Sequence, residues 1–182
     1  RRTFLSVSAA VGGGLALGIP MTEAAAQGAA PELGIWVTIA PDSTTTVRIA
    51  RSEMGQGTLT GLAQLVADEL DADWRFVRAE YVAPEVNFAN KRAWGDMSTG
   101  GSRGIRSSVD YVRKGGAAAR AMLIEAAAKR WGVAAADCSA SLSVVTHKGS
   151  GRTATYGELA AEAAKLRSEE HTSELQSRLH LV

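Results

Sequence analysis

The chain has 182 residues, 46% hydrophobic and 21% charged, and 20 Lys and Arg against 19 Asp and Glu leave a formal net charge of +1. That length and apolar content suffice for one globular module with a core, and the balanced charge excludes the basic face a nucleic-acid binder needs. A single cysteine, Cys138, excludes an intrachain disulfide and any zinc or iron–sulfur centre built from this chain's own thiolates.

The first 27 residues carry the marks of a twin-arginine export signal. Arg1-Arg2 precede Phe4-Leu5, a weakly apolar run reaches Ile19, and Ala24-x-Ala26 offers a small-residue cleavage site. The run is too short and too rich in glycine for a stable membrane span. A destination in the periplasm, or on the periplasmic side of the membrane, is the expectation; a leader of no consequence is the competing one.

From residue 34 the pattern becomes that of a folded domain, expected over 28–166. Gly34–Ala40 and Thr44–Ala50 alternate as strands around the turn signal Pro41-Asp42-Ser43 and predict a hairpin. Leu59, Leu62, Val66 and Leu70 then fall at helical spacing. The junction between them, Arg51-Ser52-Glu53-Met54-Gly55-Gln56-Gly57-Thr58, makes little sense as packing and good sense as a site. Gly55 and Gly57 let a ligand approach the backbone, Gln56 offers an amide donor and acceptor together, and a helix start offers free N–H donors. The competing reading is a glycine-rich turn with an exposed glutamine.

Beyond that helix, Asp68, Glu69, Asp71 and Asp73 crowd a turn that reads as solvated, since the glycine and distal glutamate of a calcium loop are missing. The stretch through Pro84, Asn87 and Trp94 has no period and reads as a loop near the site. Gly100, Gly101 and Ser102 then lead into a helix predicted from about Arg103 to Trp131, with Ile105, Val109, Val112, Ala119, Leu123 and Ala126 as its buried stripe. Arg103 and Arg106 at a helix start are unfavourable against the macrodipole unless an anion sits there, so a phosphate is the natural occupant. Neither a P-loop nor a Rossmann fingerprint is present. Gly115-Gly116 signals a kink or a close helix contact, and Gly132 supplies the stop.

Two strands, Ser141 to His147 and Thr153 to Thr155, precede a last helix opened by the capping box Thr155-x-x-Glu158 and reaching about Leu166. The tail 167–182 breaks the pattern and resembles a translated sequencing-library adapter, a non-native end. It holds two of the three histidines, His171 and His180, so with His147 alone no metal site is expected.

Several of these stretches, in the same order, resemble the molybdopterin-binding large subunit of the xanthine dehydrogenase and aldehyde oxidase family, in its isoquinoline oxidoreductase beta-subunit branch. They are Ser52–Gly57 before an amphipathic helix, Thr99–Ser102 before a helix with Arg106-Ser107-Ser108, Gly115–Leu123, Arg130–Val133 and Ser143–His147. The resemblance implies an α+β fold, a small mixed sheet packed with two to three helices within a larger molybdenum-cofactor-binding domain. It implies molybdopterin, in its cytosine dinucleotide form, as cofactor, with Gly55, Gln56, Gly57, Gly100, Gly101, Ser102 and Arg103 as the residues that hold it. It further implies oxidative hydroxylation of an aldehyde or N-heterocycle with water, and electrons leaving through a small 2Fe–2S iron–sulfur subunit. The family's catalytic glutamate matches no residue here, so no catalytic residue is assigned and the chain alone is expected to be inactive. Its apolar stripes, Leu59/Leu62/Val66 and Ile105/Val109/Leu123, are expected to need further polypeptide to cover them. An exported anion- or nucleotide-binding module without catalysis is the alternative.

Overall fold

The computed structural model describes residues 36–166 and a two-residue antiparallel ladder, β1 (Ser8–Ala9) with β2 (Leu15–Ala16). The export-signal expectation for 1–27, apart from those four residues, and the tail expectation for 167–182 lie outside the described residues. The predicted hairpin is present as β3 (Val37–Ile39) and β4 (Thr45–Ile49), paired with Val37 opposite Val47. Its turn closes with Ser43 in the left-handed region (φ 68°) and the Thr44 amide donating to Asp42 Oδ1 at 2.9 Å. Alternation sends Val37, Ile39, Val47 and Ile49 into the core, each no more than 1% exposed.

Helix α1 (Thr58–Leu70) crosses over from this hairpin and delivers β5 (Val77–Tyr81) parallel to β4, with Val47 opposite Ala79. A parallel pair needs such a crossover, because no tight turn can reverse the chain twice. The sheet order β3-β4-β5 is therefore mixed. The stretch expected to be an aperiodic loop instead contains a short helix, α2 (Pro84–Ala89), opened by a proline in its first turn.

The single helix predicted from Arg103 to Trp131 is two helices: α3 (Arg103–Arg106) and α4 (Val109–Trp131). The break falls at Ser107–Ser108, where the buried Ser108 hydroxyl is engaged by Arg51 Nε at 3.1 Å and by the Tyr111 hydroxyl at 2.5 Å. Gly115-Gly116 does not interrupt α4. Each glycine admits a neighbour: a Cβ on Gly115 would stand 3.0 Å from the Trp36 ring, and one on Gly116 only 2.6 Å from the Val66 carbonyl oxygen of α1. Of the two readings left open for this pair, close contact is the one observed.

That contact sets α4 against α1, and the two helices cover the inner part of each other's apolar stripes, leaving Leu59 and Val109 half-buried. Leu62, Val66, Val112 and Leu123 are each 1% exposed or less, whereas Ile105, expected in the stripe, is 37% exposed on α3. The acidic turn after α1 is not solvated as a whole either. Glu69 is fully buried with its carboxylate 2.5 Å from Arg113, and Asp71 lies 2.8 Å from Arg120, so the acidic residues clamp α1 to α4.

A second sheet, β6 (Cys138–Ser141), β7 (Val144–His147) and β8 (Thr153–Thr155), is antiparallel throughout and packs on α4. The strand expected from Ser141 to His147 is interrupted by a tight turn with Leu142 and Ser143 both in the left-handed region (φ 48° and 62°). Helix α5 (Tyr156–Lys165) begins at the predicted capping box, both arms of which form. Its Tyr156 hydroxyl donates to the Leu70 carbonyl at 2.6 Å, tying the second sheet's helix to the end of α1. The α+β class expected from the sequence holds, with the strands divided between one mixed and one antiparallel sheet.

Candidate cofactor cleft

Two loops meet at the N-terminal end of α1. The first carries Ser52–Gly57 out of β4, and the second carries Asp96–Ser102 into α3. A cleft of about 450 Å³ lies between them, lined by Met54, Gln56, Thr58, Thr99, Gly100, Gly101, Ser102, Gly104 and Ile105. The structure thus brings together four of the seven residues singled out in the sequence: Gln56, Gly100, Gly101 and Ser102. Gly55 and Gly57 flank this wall without lining it, and Arg103 faces the supporting loop instead. Met54, Thr58 and Thr99 lie in the stretches singled out from the sequence without being assigned a role, whereas Gly104 and Ile105 escaped it, since only the meeting of two loops far apart in sequence places them there.

The helix start is not an open set of donors. Glu53 folds over it: Oε1 accepts from the amides of Gly55 (2.7 Å) and Gly57 (2.9 Å), and Oε2 from Leu59 (3.0 Å). The expectation of free first-turn donors is corrected accordingly, for the chain supplies its own anion where the macrodipole favours one. Gln56 is also committed locally, with Oε1 accepting from the Met54 amide at 2.5 Å and Nε2 donating to the Ser52 carbonyl at 2.8 Å. Gly55 (φ 91°) and Gly57 (φ 76°) make this tight fold possible.

The amide bonds from Leu59 first, then Gly57, hold the Glu53 carboxyl below its ordinary value of 4.5. A depressed folded-state value means that the contribution to stability is present above the ordinary carboxylate range and is lost as pH falls through the lowered value. The Gly57 and Leu59 amide proton shifts should therefore titrate together with a midpoint below 4.5, and the titration should vanish in Glu53→Gln. Independent titration of the two amides, or its persistence in the variant, would show that another group caps α1.

The second loop meets a different demand. Arg103 donates to Asp96 Oδ2 (3.3 Å), to the Gly100 carbonyl (3.0 Å) and to Ser98 Oγ, while Arg106 donates to the Gly101 carbonyl (3.1 Å). The arginines are thus held by the chain's own acceptors, and the phosphate inferred from their position at a helix start is not required to explain them. The helix they open has only four residues. What the loop does offer the cleft is backbone: among the described residues the amides of Gly100, Gly101 and Ser102 find no acceptor. Gly100 and Gly101 have no heavy atom within 4 Å of where a Cβ would stand, so side chains there would fill space that is now open. Gly101 (φ 67°) and Ser102 (φ 58°) are successive left-handed residues, a conformation that glycine adopts freely at the first of the two positions.

The α+β domain thus carries a cleft between two loops with glycine main chain on its wall, a shape that leaves room for a group to approach the backbone closely. The sequence model of the molybdopterin cofactor-binding domain matches residues 4–178, and the chain belongs to that family, as a molybdopterin-binding segment of the xanthine dehydrogenase type. The beta subunit of isoquinoline 1-oxidoreductase from Brevundimonas diminuta is 40% identical over 134 residues, 73% of this chain and 17% of that protein. A membrane-bound aldehyde dehydrogenase from Gluconacetobacter polyoxogenes is 38% identical over 128 residues, 70% of this chain and 16% of that protein, and its name carries pyrroloquinoline quinone. A crystal structure of a Cu,Mo-CO dehydrogenase has a TM-score of 0.49 at 24% identity, covering 68% of this chain and 15% of that one. The chain therefore spans about a sixth of the length of these curated relatives.

Proposed function

We propose that the cleft between the two loops holds the pterin of a molybdenum hydroxylase, and that this chain supplies part of the cofactor wall of such an enzyme. The observation that carries the proposal is the convergence of Gln56 with Gly100, Gly101 and Ser102 on one cleft, from two stretches far apart in sequence. The residues present fit the group. A pterin and its phosphate present many acceptors, and the unclaimed amides of Gly100 to Ser102 are donors beside the space left open at the two glycines. Gln56 supplies one donor and one acceptor at the opposite wall once its two local bonds are exchanged for ligand bonds. Gly55 and Gly57 permit that exchange by their backbone freedom, and Arg103 acts on the phosphate end only through the loop it braces.

The bound cofactor would supply oxidative hydroxylation of an aldehyde or N-heteroaromatic carbon with water as oxygen source. No residue of this chain is assigned as the catalytic base, and a 2Fe–2S subunit as electron acceptor and the cytosine dinucleotide form of the cofactor belong to the same proposal. A periplasmic site of action, reached by twin-arginine export, follows from the paired arginines at the chain's start. Among the described residues no helix is long and apolar enough to cross a membrane.

The test is cofactor content. In the polypeptide expressed from its gene in a molybdopterin-producing host, Gln56→Ala should carry less pterin and molybdenum per chain than Gln64→Ala, a change on the exposed side of α1. Equal content in the two variants, or pyrroloquinoline quinone in place of pterin in the parent, would overturn the proposal.

A further inference from the structure

Behind the cleft, and not on its wall, sits an arginine that the cofactor reading leaves unexplained. Arg51 is 8% exposed, and its side chain borders the neighbouring cavity beneath Tyr81 and Phe88 rather than the cleft itself. A buried guanidinium is costly unless its donors are met. Here Nε and Nη1 find three acceptors on two separate elements. Nε donates to Ser108 Oγ at the start of α4 (3.1 Å), and Nη1 donates to Asp96 Oδ1 (3.2 Å) and to the Ser98 carbonyl in the second loop.

Each of those partners is itself anchored. Ser108 also accepts from the Tyr111 hydroxyl, and the Tyr111 ring stacks on Trp36 with centroids 4.8 Å apart. Asp96 is shared with Arg103, which reaches on to the Gly100 carbonyl, and the Ser98 amide donates to Asp96 Oδ1 at 3.0 Å. The residue after Arg51 adds a bond in the same direction, the Ser52 amide donating to Thr99 Oγ1 at 3.0 Å. An unbroken run of bonds therefore joins the long helix, the root of the Gln56 loop and the Gly100–Ser102 loop, with Arg51 at its centre. The fixed fork of a guanidinium spans the distance from Ser108 to the second loop with two nitrogens, which the single nitrogen of a lysine ammonium does not.

We propose that Arg51 is the positioning residue that keeps the Gln56 loop and the Gly100–Ser102 loop in register, so that the two walls of the cleft form as one unit. The inference rests on the reading of that cleft as the pterin site. Arg51 touches no ligand in this account, and its effect passes through Ser98, Asp96 and Thr99.

Amide exchange at Ser52 and Ser98, one reporter in each loop, tests the coupling in the chain as it stands, and pterin content in the expressed polypeptide tests its consequence. In Arg51→Lys both reporters should exchange about tenfold faster, by similar factors, while amides of α4 and α5 keep the parent's rates. Pterin per folded chain should fall by about the same factor. Asp96→Asn, at a side chain 58% exposed and so safe for folding, should give the same paired acceleration to a smaller degree, and it decides the matter if Arg51→Lys does not fold. Acceleration confined to one loop, no acceleration, or paired acceleration with pterin retained at the parent's level would each overturn the proposal. A parent without pterin would strike the cofactor reading instead, and the exchange result would still decide whether Arg51 couples the loops.

Discussion

Replacing Arg113 with alanine should destabilise the fold by about 3–5 kcal/mol, the cost of leaving one member of a buried ion pair without its partner. The Glu69 side chain is 0% exposed on α1, and Arg113 of α4 reaches it with Nη2 at 2.5 Å and Nε at 2.6 Å, itself only 16% exposed. The pair sits beside a tight contact of the two helices, where Gly116 lies against Val66 and Glu69. Urea denaturation checks the size of the loss. The double variant Glu69→Leu with Arg113→Met should recover most of it, since an apolar pair of similar volume removes the stranded charge. A loss under about 1 kcal/mol in the single variant would mean that the Glu69 carboxylate does not depend on Arg113 for its compensation.

The second large effect is expected at Gly157, the second residue of α5. A Cβ there would stand 2.2 Å from the Pro41 carbonyl oxygen, 2.7 Å from its carbon and 2.8 Å from the Ser43 nitrogen. All three are backbone atoms of the β3–β4 turn, which cannot swing aside as a side chain can. The Gly157 amide also donates to Ser43 Oγ at 3.0 Å, so α5 and the hairpin are held at this one contact. Gly157→Ala gains up to about 1 kcal/mol of helix propensity and loses more by forcing the two elements apart, for a net cost at the upper end of about 1–3 kcal/mol. Thermal melting of the variant should show it, and an unchanged or raised midpoint would contradict the contact. Gly132→Ala makes an informative companion: no heavy atom lies within 4 Å of its Cβ position, so its cost comes from φ 65° alone.

What the sequence made legible was whatever depended on neighbours along the chain. The β3–β4 hairpin, α1, the Gly132 stop and the Thr155–Glu158 capping box follow from local period and cap chemistry, and they stand where expected. β5 was missed because it is an edge strand whose Arg78, Glu80 and Tyr81 remain exposed, leaving little apolar alternation to detect. Glu69 read as solvated because the arginine that neutralises it is 44 residues away. The break before α4 has the same origin, since Ser108 is drawn out of helical continuity by Arg51, 57 residues upstream. At the cleft, the glycines and Gln56 stood out by their own chemistry and resemblance supplied the ligand, while the roles of Glu53 and Arg51 required coordinates. An acidic residue five before a helix reads as surface charge until its carboxylate is seen across the Gly55, Gly57 and Leu59 amides.

The position of the pterin in a crystal structure of the cofactor-loaded polypeptide tests the central claim most directly. The account predicts pterin or phosphate atoms within hydrogen-bond distance of the Gly100, Gly101 or Ser102 amides, with the Gln56 side chain released from Ser52 and Met54 to meet the same molecule. A cofactor seated instead in the neighbouring cavity of about 640 Å³ beneath Tyr81 and Phe88, with the Gln56 side chain still folded on its own loop, would contradict it.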